Sequence, residues 1–288
     1  MDAITLIQPQ SIGDVLQAFK EYPEMGHILA GGTDLLPDLR KKKKEAPILI
    51  DIHHIPELQQ INITGNFLEI GAAVTFAQIE EHPFVLEQIP MLTEAARSVG
   101  ALPLQNSATW VGNLVQAMPA ADGAIAALAL EAELYIVSLQ GSTWQKVETL
   151  FRAAGVSIID PSQQLITKVR VPIPVVRWGT GWQRLGRRNA LTLPILNCAV
   201  KLELERGTIS KARIALGPVA PTPMRALQAE NHLVGKQLDE KILQEAALLA
   251  QAESHPRSNV LRASAEYRKT VVPVLVKRAL KTAWERAQ

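Results

Sequence analysis

Apolar residues recur along this chain with helical spacing in some segments and as short unbroken runs in others, which predicts mixed α and β structure. Ser11 followed by Asp14 is typical of a helix N-terminus, and the apolar stripe within 15–19 extends it into a helix. The runs 27–30 and 48–51 predict two short buried strands. Residues 1–55 are therefore expected to form a small lobe of β-α-β type.

Residues 56–174 have a different pattern and are interpreted as a second lobe. Gly65-Asn66 predicts a hairpin turn, and Thr75 with Gln78 predicts a capping box on a helix that Pro83 ends. The other expected elements are strands over 58–63, 67–71, 133–138 and 165–171, and helices over 85–97, 120–130 and 147–154. The prolines at 172 and 174 mark the expected domain boundary.

Residues 175–288 predict a C-terminal domain of antiparallel strands followed by helices, which makes the fold class α+β. Arg206-Gly207 predicts the turn of one hairpin, and Pro273 predicts a kink or a break in the last helix. The expected strands are 180–185, 199–205 and 209–216, and the expected helices are 240–253 and 263–286.

Two short glycine-bearing segments stand out, Ala30–Asp34 and Thr109–Asn113. Glycine lets the backbone approach a ligand closely, and successive N–H groups form a concave anion site to which Thr33 and Thr109 add hydroxyl donors. Neither segment is a G-x-G-x-x-G fingerprint or a P-loop. From the residues alone, a dinucleotide site and ordinary turns both stay open.

Composition excludes several classes of protein. The chain has 288 residues and a net charge of +2, and the run Lys41–Lys44 is interpreted as a solvated loop, so nothing favours a nucleic-acid partner. Cys198 is the single cysteine, which excludes an internal disulfide and a cluster held by four cysteines of this chain. Residues 1–5 do not begin a signal peptide and no apolar span is long enough for a membrane, so a cytoplasmic protein is expected.

Side-chain catalysts are not evident. His53 and His54 are adjacent, would point to opposite faces of a strand and lack further ligands, so no metal site is predicted. Arg184 lies in a basic strand-turn segment. This segment either binds a phosphate or a partner, or it is a solvated turn. Asp122 either accepts a hydrogen bond from a ribose or adenine or simply favours a helix N-terminus. Chemistry without side-chain catalysts indicates a cofactor that performs the reaction.

The sequence resembles the FAD-binding medium subunits of the molybdenum hydroxylases, the family of xanthine dehydrogenase and aerobic carbon monoxide dehydrogenase. Five segments carry the resemblance in order along the chain: Ala30–Pro37, Thr109–Asp122, Arg187–Leu191, Ala215–Pro223 and Ala265–Arg268. It implies a two-lobed FAD-binding domain of PCMH type, in lobes 1–55 and 56–174, and a C-terminal flavoprotein domain over 175–288.

The resemblance also implies a site and partners. The two glycine segments would hold the FAD diphosphate, Asp122 would contact the ribose or adenine, and Leu165 and Ile166 would lie near the flavin. The implied FAD-binding residues are Leu29, Ala30, Gly31, Gly32, Thr33, Asp34, Leu35, Thr109, Trp110, Val111, Gly112, Asn113, Asp122, Leu165, Ile166 and Gln183. A molybdopterin subunit and an iron–sulfur subunit would complete a heterotrimer that passes electrons to NAD⁺ or a quinone-type acceptor.

Two departures from the family pattern affect the expected site. Trp110 and Val111 replace the Ile-Gly of a usual Thr-Ile-Gly-Gly-Asn, and a positive φ at Val111 would be costly. Gln183 stands where relatives often have a lysine, which removes a charged contact to the flavin. Two alternative functions therefore stay open: a self-contained FAD-dependent oxidase and an assembly subunit without cofactor.

Overall fold

The computed structural model describes residues 4–288. Its strands are β1 (Thr5–Ile7), β2 (Gly26–Leu29), β3 (Ile48–Asp51), β4 (Ile61–Thr64), β5 (Phe67–Gly71), β6 (Glu133–Ser138), β7 (Gly141–Lys146), β8 (Phe151–Ala153), β9 (Val156–Ser157), β10 (Gln164–Pro172), β11 (Arg177–Leu185), β12 (Leu196–Glu205), β13 (Thr208–Gly217) and β14 (Met224–Arg225). Its helices are α1 (Ile12–Glu21), α2 (Leu35–Arg40), α3 (Phe76–Glu81), α4 (Pro83–Gln88), α5 (Pro90–Arg97), α6 (Leu102–Gln105), α7 (Trp110–Val115), α8 (Asp122–Ala129), α9 (Leu227–Leu233), α10 (Glu240–Glu253) and α11 (Ala265–Ala287). Residues 1–3 of the segment assessed for a signal peptide lie outside this description.

The N-terminal segment forms a parallel sheet of order β1-β3-β2 with α1 packed against it. The predicted cap of α1 is confirmed, because Ser11 Oγ accepts from the Asp14 amide and the Asp14 carboxylate accepts from the Ser11 amide. Val15 and Phe19 of α1 are buried on the side of the helix that faces the sheet. Strand β1 was not predicted, because a strand of three residues has too few positions to show a period.

The second region is built on an antiparallel sheet of order β4-β5-β10-β6-β7. The hairpin turn at Gly65 is confirmed, with φ +58°, and so is the capping box, in which Gln78 Oε1 accepts from the Thr75 amide at 2.8 Å. Helix α3 ends before Pro83, as predicted. The strand expected from residue 58 begins only at Ile61, because Pro56 starts a single 3₁₀ turn there.

Two predicted helices of this region are wrong. The helix expected over 85–97 is divided into α4 and α5, because Pro90 lacks an N–H group and its ring keeps Ile89 out of helical geometry, at φ −130° and ψ 55°. The helix expected over 147–154 is one 3₁₀ turn, Val147–Thr149, followed by β8. Gly155, at φ +75°, makes the turn that leads to β9.

The C-terminal region is an antiparallel sheet of order β11-β12-β13-β14 between two layers of helix. One face packs on α11 so closely that a Cβ at Gly179 would lie 2.1 Å from the Ala283 carbonyl oxygen. The other face contributes Trp182 and Ala199 to the core that contains α8. Of the kink or break predicted at Pro273, the break does not occur, since α11 is one continuous helix of 23 residues that contains Pro273. Within residues 4–288, no helix combines the length and apolarity needed to cross a bilayer.

Candidate cofactor site

A cavity of about 710 Å³ lies where the N-terminal sheet, α7, α8 and the end of β11 meet. This volume falls in the range of about 300–1,000 Å³ that is usual for ligand and cofactor sites. Its wall contains every residue expected to bind the cofactor except Trp110 and Gln183. The structure therefore brings together segments that are far apart in sequence.

The first glycine segment forms one wall of this cavity, between the end of β2 and the start of α2. Gly32 has φ +66°, a left-handed conformation that glycine adopts without strain. Within residues 4–288, the amide N–H groups of Gly31, Gly32 and Thr33 donate no hydrogen bond. Three consecutive backbone donors are thus present at the cavity wall, an arrangement that suits an anion.

The second glycine segment is the first turn of α7 and is not the open loop that was predicted. The hydroxyl of Thr109 accepts from the Gly112 amide at 3.0 Å, and its carbonyl accepts from the Asn113 amide at 3.1 Å. Those two amides are therefore used to start the helix. Val111 lies within this helix and has no positive φ, so the condition under which its side chain would be strained does not arise.

Trp110 packs between α7 and α8. Its side chain is fully buried, and the indole Nε1–H donates to the Gly123 carbonyl at 2.9 Å. A Cβ at Gly123 would lie 2.9 Å from the indole ring, so α7 and α8 pack closely at this point. Trp110 fixes α7 against α8 and does not reach the cavity.

Asn113 carries an unpartnered buried group at the cavity. Its Oδ1 atom is buried and accepts no hydrogen bond within the described part of the chain, while the residue lines the cavity wall. Leaving a buried amide oxygen unpaired costs about 1–3 kcal/mol, so such groups usually have a partner. A ligand with a hydroxyl or amino donor would supply one.

Asp122, the first residue of α8, is buried and binds two residues of the C-terminal sheet. Its carboxylate accepts from Asn197 Nδ2 at 2.7 Å and from Arg184 Nε at 3.2 Å. Burial raises the pKa of Asp122 to about 6, although Arg184 and Asn197 both act to lower it. Asp122, which was expected to contact the cofactor, therefore also joins α8 to the C-terminal sheet.

Arg184 lines the cavity, whereas Gln183 does not. Successive residues of a strand point to opposite faces, and Arg184 is the one on the cavity side of β11. Its guanidinium also donates to the Thr192 carbonyl at 2.5 Å, which holds the loop after β11 against the cavity. The sequence showed that Arg184 was a candidate for phosphate binding but did not show which face it occupies.

Several polar residues of the cavity were not predicted. They are His27, Lys44, Ser157, Gln164, Thr192 and Arg262. Burial lowers the pKa of His27, which favours a neutral imidazole, and burial together with Asp38 raises the pKa of Asp34. None of these residues lies in a glycine segment, so the sequence offered no local signal for them.

The cavity fits a dinucleotide cofactor. Its amides at Gly31–Thr33 suit a diphosphate, Asp122 and Asn113 offer acceptors for hydroxyl or amino groups, and Leu165 and Ile166 provide an apolar wall for a ring. Within residues 4–288, no cluster of three or more His, Cys, Asp or Glu side chains has a metal-binding arrangement.

Comparison with known proteins gives consistent matches along the chain. The signature of the "FAD binding domain in molybdopterin dehydrogenase" matches residues 2–174, and that of the "CO dehydrogenase flavoprotein C-terminal domain" matches residues 183–283. The chain is 30% identical over 280 residues to the carbon monoxide dehydrogenase medium chain of Hydrogenophaga pseudoflava, covering 96% of both. It is 28% identical over 274 residues to the putative xanthine dehydrogenase FAD-binding subunit of Escherichia coli K12, covering 95% of this chain and 93% of the other. A solved carbon monoxide dehydrogenase from H. pseudoflava superposes with a TM-score of 0.92 and 30% identity, covering 99% of this chain and 98% of the other.

Proposed function

Because this chain belongs to the FAD-binding medium subunits of the molybdenum hydroxylase family, we propose that it accepts electrons from an iron–sulfur subunit and passes them to NAD⁺ or a quinone-type acceptor. The observation that best supports a flavin carrier is the row of free amides at Gly31–Thr33 in the cavity wall. Asn113, whose buried Oδ1 has no partner within the described part of the chain, lines the same cavity. Bound FAD supplies the chemistry, since it accepts electrons singly and delivers them as a pair.

The residues of this chain bind and orient the cofactor. The amides of Gly31, Gly32 and Thr33 hold the diphosphate, and Asn113 accepts from a hydroxyl or amino group of the bound molecule. Asp122 accepts from the ribose or adenine end while Arg184 and Asn197 fix its carboxylate. Leu165 and Ile166 of β10 form an apolar wall beside the flavin and exclude water from that side.

The division of labour between subunits follows from the cysteine content. A chain with one cysteine does not hold an iron–sulfur cluster on four thiolates, so the clusters belong to a partner subunit. The molybdenum cofactor is assigned to a further partner because this chain matches the FAD-binding domain of the family. Cys198 itself is fully buried in β12, and burial raises the pKa of its thiol far above the usual range. It is therefore a packing residue.

Co-purification of the native complex tests this proposal. Flavin, iron and sulfide are measured on each separated chain. Flavin on this chain, with iron and sulfide on another, is the expected result. The reduced complex is then mixed with NAD⁺ or with a soluble quinone. The compound that reoxidises the flavin is the acceptor. A chain that binds no flavin in the presence of its partners would contradict the proposal.

The two alternatives have separate outcomes in the same experiments. Reduction of the flavin by a small organic substrate added to this chain alone would indicate a self-contained oxidase. A chain without flavin in an intact complex would indicate an assembly subunit. The latter drew support from Val111 and Gln183, but Val111 is unstrained in α7 and Gln183 lies outside the cavity. Neither residue argues against FAD.

A further inference from the structure

Two of the five segments that carry the family resemblance, Ala215–Pro223 and Ala265–Arg268, contribute no residue to the lining of the cofactor cavity. They contact each other instead. The guanidinium of Arg268, in the first turns of α11, donates from Nη1 to the Pro218 carbonyl at 3.2 Å. The two segments are 50 positions apart at this contact and are joined by it into one unit.

Arg268 is a buried charge with little compensation. Its side chain is 4% exposed, and within residues 4–288 its Nε and Nη2 atoms are buried without a hydrogen-bond partner. Burial lowers the pKa of the guanidinium, and so does the charge of Arg262, but an arginine stays protonated in proteins. A buried charge with one hydrogen bond is unfavourable for folding. Stability alone therefore does not explain an arginine at this position.

The carbonyl that accepts from Arg268 belongs to a buried turn, residues 217–219, which follows β13. The next residue of the turn, Val219, is also held by its carbonyl, which accepts from the His255 amide at 2.8 Å. His255 lies just after the end of α10. The turn is thus fixed on one side by the end of α10 and by the start of α11.

On its other side the same turn packs against the cavity wall. A Cβ on Gly217 would lie 2.3 Å from the Pro119 carbonyl oxygen and 2.8 Å from Asn197 Oδ1. Asn197 in turn donates to the Ala120 carbonyl at 3.4 Å and to the Asp122 carboxylate at 2.7 Å. Ala120 and Asp122 both line the cavity. A continuous series of contacts therefore leads from Arg268 to the cofactor site.

We propose that Arg268 is a positioning residue for FAD, which holds the turn 217–219 against Pro119 and Asn197 and thereby sets the place of the Asp122 carboxylate. The proposal rests on the proposed function, in which Asp122 accepts from the ribose or adenine end of the cofactor. Arg268 itself does not touch the cofactor. An apolar side chain at 268 would leave the Pro218 carbonyl without its donor, so the turn would no longer be held in one position.

Arg268→Met tests the proposal, because methionine removes the charge and the donor but fills much of the same space. Affinity for FAD is measured by titrating the flavin-depleted full chain, and stability is measured by the urea midpoint of the same sample. Affinity is expected to fall about tenfold, the value of one hydrogen bond to a charged group, while the urea midpoint stays unchanged or rises. Arg268→Lys keeps the charge and a donor and should recover much of the affinity. Arg278→Met, at an exposed arginine of α11, is the matched control and should change neither property.

Two further variants test the route from Arg268 to the cavity. Gly217→Ala adds a methyl group that would press on the Pro119 carbonyl, so it displaces the turn without changing Arg268 and should also weaken FAD binding. Asp122→Ala removes the proposed end of the route. Arg268→Met should therefore lower the affinity for FAD much less in the Asp122→Ala chain than in wild type, a non-additivity that a double-mutant cycle measures.

The outcomes separate positioning from a merely structural role. Wild-type affinity for FAD in Arg268→Met would overturn the proposal. So would a fall in affinity that is matched by a fall in the urea midpoint and is not recovered by Arg268→Lys. Additive effects of Arg268→Met and Asp122→Ala would overturn the route through Asp122. A wild-type chain that binds FAD but exchanges no electrons with its partners would contradict the proposed function alone, and one that binds no FAD would contradict both.

Discussion

Gly31 and Ser107 are 76 positions apart in the sequence, yet their backbones are in direct contact. A Cβ built on Gly31 would lie 1.9 Å from the Ser107 carbonyl oxygen and 3.0 Å from the Ala108 Cα atom. Both neighbouring atoms are backbone and are not free to rotate away. The contact places the free amides of the first glycine segment beside the start of α7, and it depends on the absence of a side chain at residue 31.

Gly31→Ala is expected to reduce flavin retention at least tenfold, because the added methyl group moves the 30–34 backbone away from Ser107 and displaces its amides. Flavin per chain after gel filtration and the affinity for added FAD are the measurements. Gly13→Ala is the control, since its Cβ would make ordinary contact with Ser11 at 3.5 Å. Equal flavin retention in the two variants would contradict a role for the Gly31 contact.

Gly32→Val is expected to lower FAD affinity more than Gly112→Val. The backbone of Gly32 is left-handed, at φ +66°, a conformation that is strongly unfavourable for a β-branched residue. Gly112 is helical, and its added Cβ would meet one rotatable atom, Thr109 Oγ1, at 2.9 Å. Titration of flavin-depleted variants with FAD gives both affinities. The reverse order would indicate that α7 contributes more to binding than the first glycine segment.

Asp122 is expected to make stability decrease as the pH rises from about 4 to about 6. Its native pKa is about 6, above the unfolded value near 3.9, so the folded state binds more protons in this interval. Deprotonation of the buried carboxyl then costs on the order of 3 kcal/mol by pH 7. The free energy of unfolding of wild type minus that of Asp122→Asn, measured by urea unfolding, should fall by about 2 kcal/mol between pH 4 and pH 7, since the unfolded carboxyl is already about half ionised at pH 4. A difference that does not change with pH would show an ordinary pKa at Asp122.

Cys198→Ala is expected to leave flavin content unchanged and to lower stability by about 1 kcal/mol, since the change removes one buried sulfur atom from the β12 core. Burial raises the pKa of this thiol, so the native protein should not react with a thiol reagent at neutral pH. Flavin absorbance, chemical unfolding and labelling before and after denaturation are the measurements. Rapid labelling of the native chain would show that Cys198 is accessible.

Local signals predicted the elements whose determinants are close in sequence. The caps at Ser11–Asp14 and Thr75–Gln78 each place both partners three residues apart, and both form as expected. The turns at Gly65 and at Arg206-Gly207 also form, because Gly65 and Gly207 have a positive φ that glycine adopts without strain. Such features follow from short-range sterics and hydrogen bonding.

Features set by tertiary contacts were not predictable in the same way. The start of α7 is held against the start of α3, because the Phe76 amide donates to the Ala108 carbonyl and Thr109 forms a β-bridge with Thr75. No property of 109–113 indicates these contacts. The segment 147–154 has helical spacing, but its residues 151–153 pair with β9 instead. Which of Gln183 and Arg184 faces the cavity is decided by how β11 packs between α11 and α8. The sequence of a single strand therefore does not show which of two neighbouring residues faces the cavity.

Arg184→Gln is expected to release flavin faster and to destabilise the protein by about 3 kcal/mol, because it leaves the buried Asp122 with Asn197 alone and frees the Thr192 carbonyl. Arg184→Lys should restore part of both properties, since a lysine keeps the charge but lacks the fork that reaches two acceptors. Gln183→Ala is the matched control on the same strand, outside the cavity. Flavin dissociation rates and unfolding free energies of the three variants are compared with wild type. Faster release from Gln183→Ala than from Arg184→Gln would place the functional side chain on the opposite face of β11.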